Sequence, residues 1–143
     1  MIGLDTNVLS ELMRPAPEQA VIAWMDRQDP AMLFLTAITV AEILLGIGRL
    51  PESKRKAGLR ELGVALIDED FAGRIIPFDE TAAACYAEMV CERQRSGRPI
   101  GMANAQIAAI CRTLDGATLA TRNSLDFDGL GLDLTNPWTD CRA

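Results

Sequence analysis

The sequence predicts an α/β fold in which helices cover both faces of a central parallel sheet. Short apolar segments that suit strands alternate along the chain with longer segments of helical periodicity, as in parallel sheets. The chain has 143 residues, 49% of them hydrophobic, and this length suits one domain with one buried core. Without internal repeats or low-complexity tracts, we expect a single domain over residues 1–143.

Five segments are predicted as strands because they are short, apolar and bounded by polar or turn-forming residues. They span residues 2–4, 32–35, 74–78, 117–120 and 132–134. Helices are predicted at residues 8–13, 18–27, 39–50, 81–95 and 104–114, and a further one begins in the charged stretch 52–61. Pro15 and Pro17 separate the first two helices, since proline interrupts the backbone hydrogen bonds of a helix.

The predicted helix 39–50 is apolar on nearly all sides, so we expect it to be buried. Its apolar residues are Val40, Ile43, Leu44 and Ile47 on one stripe, and Ile38, Ala41 and Leu45 opposite. Glu42 lies within it, and a buried carboxylate needs a cation, a metal or hydrogen-bond donors, or else it stays protonated. The alternative is a capping box, because Thr39 and Glu42 have the S/T-x-x-E spacing that closes a helix start.

The content of charged residues and of histidine excludes several classes of functional site. The chain has 20 acidic and 14 basic residues, a formal charge of -6, and no histidine. The lack of histidine excludes Ser-His and Cys-His nucleophile pairs, imidazole bases and His-ligated metal sites. The acidic balance argues against nucleic-acid binding by overall charge, although binding through a local patch or a metal stays open.

The spacing of the cysteines indicates their redox state, and the first residues indicate where in the cell the protein is found. Cys85, Cys91, Cys111 and Cys141 show no C-x-x-C spacing, so we expect reduced thiols, mostly in the core. The first residues carry no basic and apolar signal pattern, which predicts a cytoplasmic protein. The apolar stretch 31–48 contains Glu42, which argues against a membrane span.

Other motifs are absent or weak. Neither G-x-G-x-x-G nor G-x-x-x-x-G-K-[ST] occurs, so dinucleotide and P-loop sites lack their phosphate cradle. Residues 5–8 are similar to the start of haloacid-dehalogenase-like phosphatases, but Asn7 replaces their second aspartate. The basic clusters are Lys54, Arg55 and Lys56 with Arg60, and Arg93, Arg95 and Arg98. We interpret both clusters as solvated helix faces rather than phosphate contacts.

Polar side chains follow two predicted strands, and ligands collect beyond the carboxyl ends of strands in open parallel sheets. Asp5 follows the first strand, and Asn123 and Asp126 follow the strand at 117–120. Each has a structural alternative: Asp5 suits a helix cap, and the segment of Asn123 and Asp126 suits a turn. Asn104 likewise stands where a helix begins and suits an N-cap.

Five segments in this order and spacing carry a resemblance to a known family. They are residues 4–10, 39–43, 99–109, 119–123 and 126–127, followed by the closing Asn136, Pro137 and Trp138. Over essentially its whole length the chain resembles the PIN-domain family, and within it the VapC and FitB-type toxins of type II toxin–antitoxin modules.

The resemblance implies a three-layer α/β/α fold with a cleft in which acidic side chains hold Mg²⁺ or Mn²⁺ for RNA hydrolysis. Asp5 matches the first family acid and Glu42 the second, and Asn104 stands where the family has a third acid. The fourth acid falls at or near Asn123 and Asp126, with Thr121 as a hydrogen-bonding neighbour. Asp5 and Asn104 would then be metal ligands, joined by Asp126, while Glu42 would orient or deprotonate water.

The resemblance also implies partners: an RNA substrate, a second copy of the chain in a homodimer, and a VapB-like antitoxin through which DNA is contacted only indirectly.

Asn104 departs from the family pattern, because a carboxamide offers one neutral oxygen and brings an NH₂ group that repels cations. We therefore expect weakened metal binding. Two functions stay open: a metal-dependent endoribonuclease toxin, and a catalytically impaired PIN-like module that acts through antitoxin binding and operon autoregulation.

Overall fold

The computed structural model describes residues 1–140 and contains one parallel sheet. Its strands are β1 (Ile2–Leu4), β2 (Leu33–Thr36), β3 (Ile75–Ile76), β4 (Thr118–Ala120) and β5 (Asp133–Thr135). They are arranged in the order β3-β2-β1-β4-β5, and every neighbouring pair is parallel. All carboxyl ends therefore lie at one edge of the sheet.

Seven α-helices connect or follow these strands in the described part of the chain. They are α1 (Thr6–Leu12), α2 (Gln19–Asp26), α3 (Ala37–Gly48), α4 (Lys54–Ala65), α5 (Glu80–Arg95), α6 (Met102–Thr113) and α7 (Ser124–Phe127). A 3₁₀ turn at Pro30–Met32 and a π-helical turn at Leu66–Asp70 complete the secondary structure. Each predicted strand and helix has a counterpart here, whereas α7 and the two irregular turns were not predicted.

Helices cover both faces of the sheet. Neighbouring strand residues point to opposite sides, so each face presents apolar side chains to the helices that pack on it. Leu33 and Leu35 of β2 belong to one core cluster, and Phe34 between them belongs to the other. The first cluster includes residues of α1, α2 and α3, and the second includes residues of α5, α6 and α7. The predicted α/β class and its three-layer arrangement are confirmed.

The strand order reverses between β1 and β4, although all strands stay parallel, and a crevice forms at the carboxyl ends of these two strands. From β1 the chain continues to β2 and β3 on one side, and then returns to β4 and β5 on the other. Leu4 pairs in register with Ala120, and the backbone N–H of Asp5 donates to the Ala120 carbonyl at 2.9 Å. Ligand crevices in open parallel sheets form at such a switch point.

The prediction that α3 is buried on all sides is wrong. Leu44 and Leu45 are 43% and 52% exposed, whereas Thr39, Ile43 and Ile47 are buried. A helix that packs on a sheet buries only the stripe that faces it, and the apolar residues outside that stripe stay in contact with water.

Among residues 1–140 no helix is both long and apolar enough to span a membrane.

Two other predictions need correction. Of the cysteines in the described part, only Cys111 is buried, since Cys85 is half-buried and Cys91 exposed; all three are free thiols. Cys141 lies outside the described residues. The basic clusters are not entirely solvated, because Lys56 and Arg93 are only 6% and 8% exposed. The ammonium group of the buried Lys56 donates to Glu52 Oε1 at 2.7 Å and to the Gly48 carbonyl at the end of α3 at 3.2 Å.

Candidate active site

Asp5 is a buried carboxylate at the carboxyl end of β1, where it is 3% exposed. Its Oδ1 accepts a hydrogen bond from the backbone N–H of Thr6 at 2.8 Å, so it also caps α1, as its structural alternative predicted. Its Oδ2 accepts from the Thr121 hydroxyl at 2.8 Å and from the Asn7 side-chain amide at 3.3 Å. Neutral donors from β1–α1 and from the end of β4 therefore hold it in place.

The electrostatic environment of Asp5 disfavours its charged form. Burial raises the pKa of its carboxyl group above the ordinary value of 3.8, and the negative charges of Glu42 and Asp126 raise this pKa further. The hydrogen bonds from Thr121 and Thr6 only partly oppose the shift. Glu42 and Asp126, from distant parts of the sequence, thus both lie within electrostatic reach of Asp5 at the crevice, where a cation would stabilise the charged form of Asp5.

Glu42 is directed toward α1 rather than toward its own helix start. The Thr6 hydroxyl donates to Glu42 Oε1 at 2.6 Å. The capping box proposed for Thr39 and Glu42 is not formed, because α3 begins at Ala37 and its N-cap is Thr36. The Thr36 hydroxyl accepts from the Thr39 backbone N–H at 3.1 Å, which leaves the Glu42 carboxylate available to the crevice.

Asn104 is the third residue of α6, not its N-cap, since α6 begins at Met102 and Gly101 occupies the cap position. The N-cap prediction is therefore wrong: the helix starts two residues earlier, where the backbone turns after Pro99 and Ile100. The half-buried Asn104 lines a polar cavity of about 310 Å³ together with Asp126. The structure thus places these two candidate ligands on one cavity.

Asn123 precedes α7 and contributes to the turn through its backbone. Its N–H donates to the Thr121 hydroxyl at 3.0 Å, and its carbonyl accepts from the Asp126 N–H at 3.0 Å. Its side chain is exposed. The turn interpretation accounts for these contacts, and a catalytic role for the Asn123 side chain stays a prediction.

Sequence reasoning missed two polar contacts that organise the site. Thr6 binds both acids, through its N–H to Asp5 and through its hydroxyl to Glu42. Asn7 donates to Asp5, and its Oδ1 accepts from the Arg122 backbone N–H at 3.2 Å, which joins α1 to the end of β4. The signal was the run of three short polar residues directly after a buried strand.

The candidate side chains offer the oxygen ligands that a hard cation prefers, but their acids are not clustered as the resemblance implies. Carboxylate and carboxamide oxygens suit Mg²⁺ and Mn²⁺. Burial, and to a smaller extent the charges of Glu42 and Asp126, raise the pKa of Asp5. Within residues 1–140, no three His, Cys, Asp or Glu side chains are grouped closely enough to hold a metal ion. Asn104 adds a carboxamide, not a carboxylate, to the candidate ligands.

Known proteins match this chain over nearly its full length. The PIN domain family model matches residues 2–128. The VapC ribonuclease Y4jK of Sinorhizobium fredii is 41% identical over 138 residues, which covers 96% of this chain and 98% of that protein. Toxin FitB of Neisseria gonorrhoeae is 42% identical over 140 residues, covering 98% of this chain and 100% of that protein.

The fold comparison agrees with the sequence comparison. The structure of FitAB bound to the IR36 DNA fragment contains a chain that superposes with a TM-score of 0.89 at 42% identity, and the match covers 96% of both chains. Similarity of this extent includes β1 through α7, the elements that carry the acidic residues of the crevice. The chain therefore belongs to the PIN-domain family, among its VapC- and FitB-like toxins.

Proposed function

We propose that this protein is a metal-dependent endoribonuclease toxin of a toxin–antitoxin module, which uses Mg²⁺ or Mn²⁺ to hydrolyse RNA phosphodiester bonds. The observation that carries the proposal is the buried Asp5 carboxylate at the switch point, its pKa raised by burial and by the charges of Glu42 and Asp126. Its hydrogen bonds offset the cost of burying this charge only in part, and a bound cation would offset it further. A relative with 41% identity is named a VapC ribonuclease, which supports the same activity.

In this proposal the oxygens of Asp5, Asn104 and Asp126 would hold the metal, and Asn123 is a further catalytic candidate. A bound divalent ion would supply Lewis-acid stabilisation of the phosphate charge and a more acidic water. Glu42, held by the Thr6 hydroxyl, would orient or deprotonate the attacking water. Water would add to phosphorus as the bond to the 3′-oxygen breaks, which leaves 3′-hydroxyl and 5′-phosphate ends.

We further propose that a VapB-like antitoxin binds in the groove between α1, α3 and α4. This groove has a volume of about 830 Å³ and is lined by apolar residues, by Arg14 and Arg55, and by Glu42 of the candidate site. An apolar segment seated there would therefore reach the crevice. A similar chain belongs to a solved structure of FitAB bound to a DNA fragment, which supports an antitoxin partner, and we propose that this chain contacts DNA only indirectly, through that antitoxin. A homodimer in the cytoplasm completes the proposal.

Cleavage assays with three variants test the enzymatic part. Asp5→Asn should abolish Mn²⁺-dependent RNA cleavage and toxicity, because it removes the central charged donor. Asn104→Asp should raise both, because it restores a negative ligand. Asp115→Asn, in the exposed turn after α6, is the matched control and should behave like the wild type. Equal activity in all versions would contradict the proposed function.

The second candidate is a catalytically impaired module that binds its antitoxin and shapes operator occupancy without cutting RNA. Asn104, and the lack of a three-acid group within the described residues, favour it. Calorimetry decides between the two. Tight antitoxin binding with no Mg²⁺ or Mn²⁺ binding would support the second candidate, and micromolar to millimolar metal affinity would remove it.

A further inference from the structure

Arg93 is a buried cation near the end of α5 that the proposed chemistry does not use. It is 8% exposed, and within residues 1–140 no carboxylate lies within ion-pair distance of it. A buried guanidinium group without an acidic partner must be compensated by hydrogen-bond acceptors. The identity of those acceptors therefore shows what the side chain holds together.

The acceptors are backbone carbonyls from the connection between α5 and α6 and from the segment that carries Asp126. Arg93 Nη1 donates to the Arg98 carbonyl at 3.1 Å, in the turn that leads into α6. Arg93 Nη2 donates to the Asp126 carbonyl at 2.6 Å and to the Asp128 carbonyl at 3.2 Å, within and just after α7. One side chain on α5 thus joins the connection between α5 and α6 to α7.

The planar guanidinium group is suited to this bridge. Its donors leave in fixed directions, so two of its nitrogens reach two separate segments at once, and bonds from a charged donor are stronger than neutral ones. Arg93 also lines the polar cavity on which Asn104 and Asp126 meet. α7 is only four residues long and its start has no side-chain cap, so contacts from outside must hold its position.

We propose that Arg93 is a positioning residue, which fixes α7 against the turn before α6 so that Asp126 and Asn104 face one cavity. The inference rests on the proposed metal-dependent nuclease function, because that function gives the placement of these two side chains its consequence. Arg93 itself does not contact the substrate in this proposal.

The test compares Arg93→Met and Arg93→Lys with a control on the same helix. Arg95→Met removes an equal charge, but Arg95 is exposed and its Nε donates to the Cys91 carbonyl of its own helix. Hydrogen exchange without metal should show amides of residues 124–128 exchanging about 10-fold faster in Arg93→Met, with β1 and α6 unchanged. Arg95→Met should leave these amides as they are in the wild type.

The functional measurements are Mn²⁺ affinity and single-turnover RNA cleavage at saturating RNA. Arg93→Met should weaken Mn²⁺ binding and slow cleavage about 100-fold, the effect expected when a catalytic group is misplaced by about 1 Å. Arg93→Lys should recover part of the loss, because an ammonium group reaches one segment but lacks the fork that bridges two. If Arg93→Met fails to fold, as judged by urea unfolding, Arg93→Lys carries the comparison.

A double-mutant cycle separates positioning from general destabilisation. In an Asp126→Asn background, replacement of Arg93 should cause little further loss of Mn²⁺ affinity, because its effect passes largely through Asp126. Full additivity of the two losses would overturn the proposal, as would unchanged exchange at residues 124–128 or unchanged cleavage in Arg93→Met. A wild-type chain that neither binds Mn²⁺ nor cuts RNA would remove the proposed function itself. An active wild type equalled by Arg93→Met would remove this inference alone.

Discussion

The Thr6 hydroxyl donates a 2.6 Å hydrogen bond to the Glu42 carboxylate and thereby joins the start of α1 to the middle of α3. The backbone N–H of the same residue donates to Asp5 at 2.8 Å. One residue therefore sets the positions of two acids that are far apart in the sequence. The spacing of these acids in the crevice depends on how α1 packs on α3.

Replacement of Thr6 by valine should reduce activity more than stability. Valine keeps the shape of threonine and its backbone N–H, so Asp5 still caps α1 while Glu42 loses the hydroxyl donor of Thr6. We expect RNA cleavage to fall about 10- to 100-fold if Glu42 acts on water, and the free energy of unfolding to fall by about 1 kcal/mol. Cleavage rates and urea unfolding measure the two effects.

Thr113→Val is the matched control for this substitution, because the Thr113 hydroxyl donates to the Ile110 carbonyl of its own helix, far from the start of α6. It should leave the cleavage rate unchanged. Loss of cleavage in both variants to the same degree would show that the Thr6–Glu42 bond has no particular role.

Asp5→Asn should stabilise the metal-free protein at neutral pH. Burial raises the pKa of Asp5 in the folded state, so the folded chain binds this proton more tightly than the unfolded chain does. The wild type therefore loses stability as the pH rises above 3.8 and through the raised pKa, after which the loss is constant. Asparagine removes this cost and still caps α1.

Urea unfolding in EDTA, from about pH 4 to pH 8, measures this effect as the stability difference between Asp5→Asn and the wild type. The difference should grow in favour of the variant as the pH rises. A difference that is independent of pH would show that Asp5 ionisation does not limit stability. Asp115→Asn, in an exposed turn, should show no such trend.

Gly3→Ala should destabilise the sheet, because β1 has no room for a side chain at this position. A Cβ atom on Gly3 would lie 2.7 Å from Cζ of Phe34, a side chain that is completely buried and cannot move aside. Overpacking of this kind costs about 1–3 kcal/mol. Gly46→Ala, on an exposed part of α3 with no atoms within 4 Å, should instead stabilise the protein slightly. Equal effects on urea unfolding would contradict this account.

Thiol labelling should distinguish Cys91 from Cys111 in a variant that carries both Cys85→Ser and Cys141→Ser, so that only these two thiols remain. Burial, with a contribution from the charge of Asp5, raises the pKa of Cys111 to about 12, so almost none of it is a thiolate near neutral pH. A disulfide reagent at about pH 8 should modify the exposed Cys91 rapidly and Cys111 only after unfolding. The additional change Cys91→Ser should remove the rapid phase, and its persistence would contradict the assigned exposures.

Much of the fold could be predicted because local pattern and backbone geometry agree. The alternation of short apolar segments with helical ones indicated a parallel sheet, and the position of Asp5 after β1 placed it at the ligand-binding edge. Helix starts were less predictable. Both Glu42 and Asn104 suit a cap by spacing, yet the caps are Thr36 and Gly101, because the chain enters each helix two residues earlier than the periodicity suggested.

The order of the residues alone determined the fold class and the position of Asp5 at a strand end. It also determined that the candidate metal ligands are all oxygen atoms. Tertiary structure decided which polar groups meet: Thr6 with Glu42, Thr121 with Asp5, and Arg93 with the carbonyls beside Asp126. Periodicity reports which face of one element is apolar, and it carries no information on which element packs opposite. Contacts between residues distant in sequence depend on that packing, so they could be found only in three dimensions.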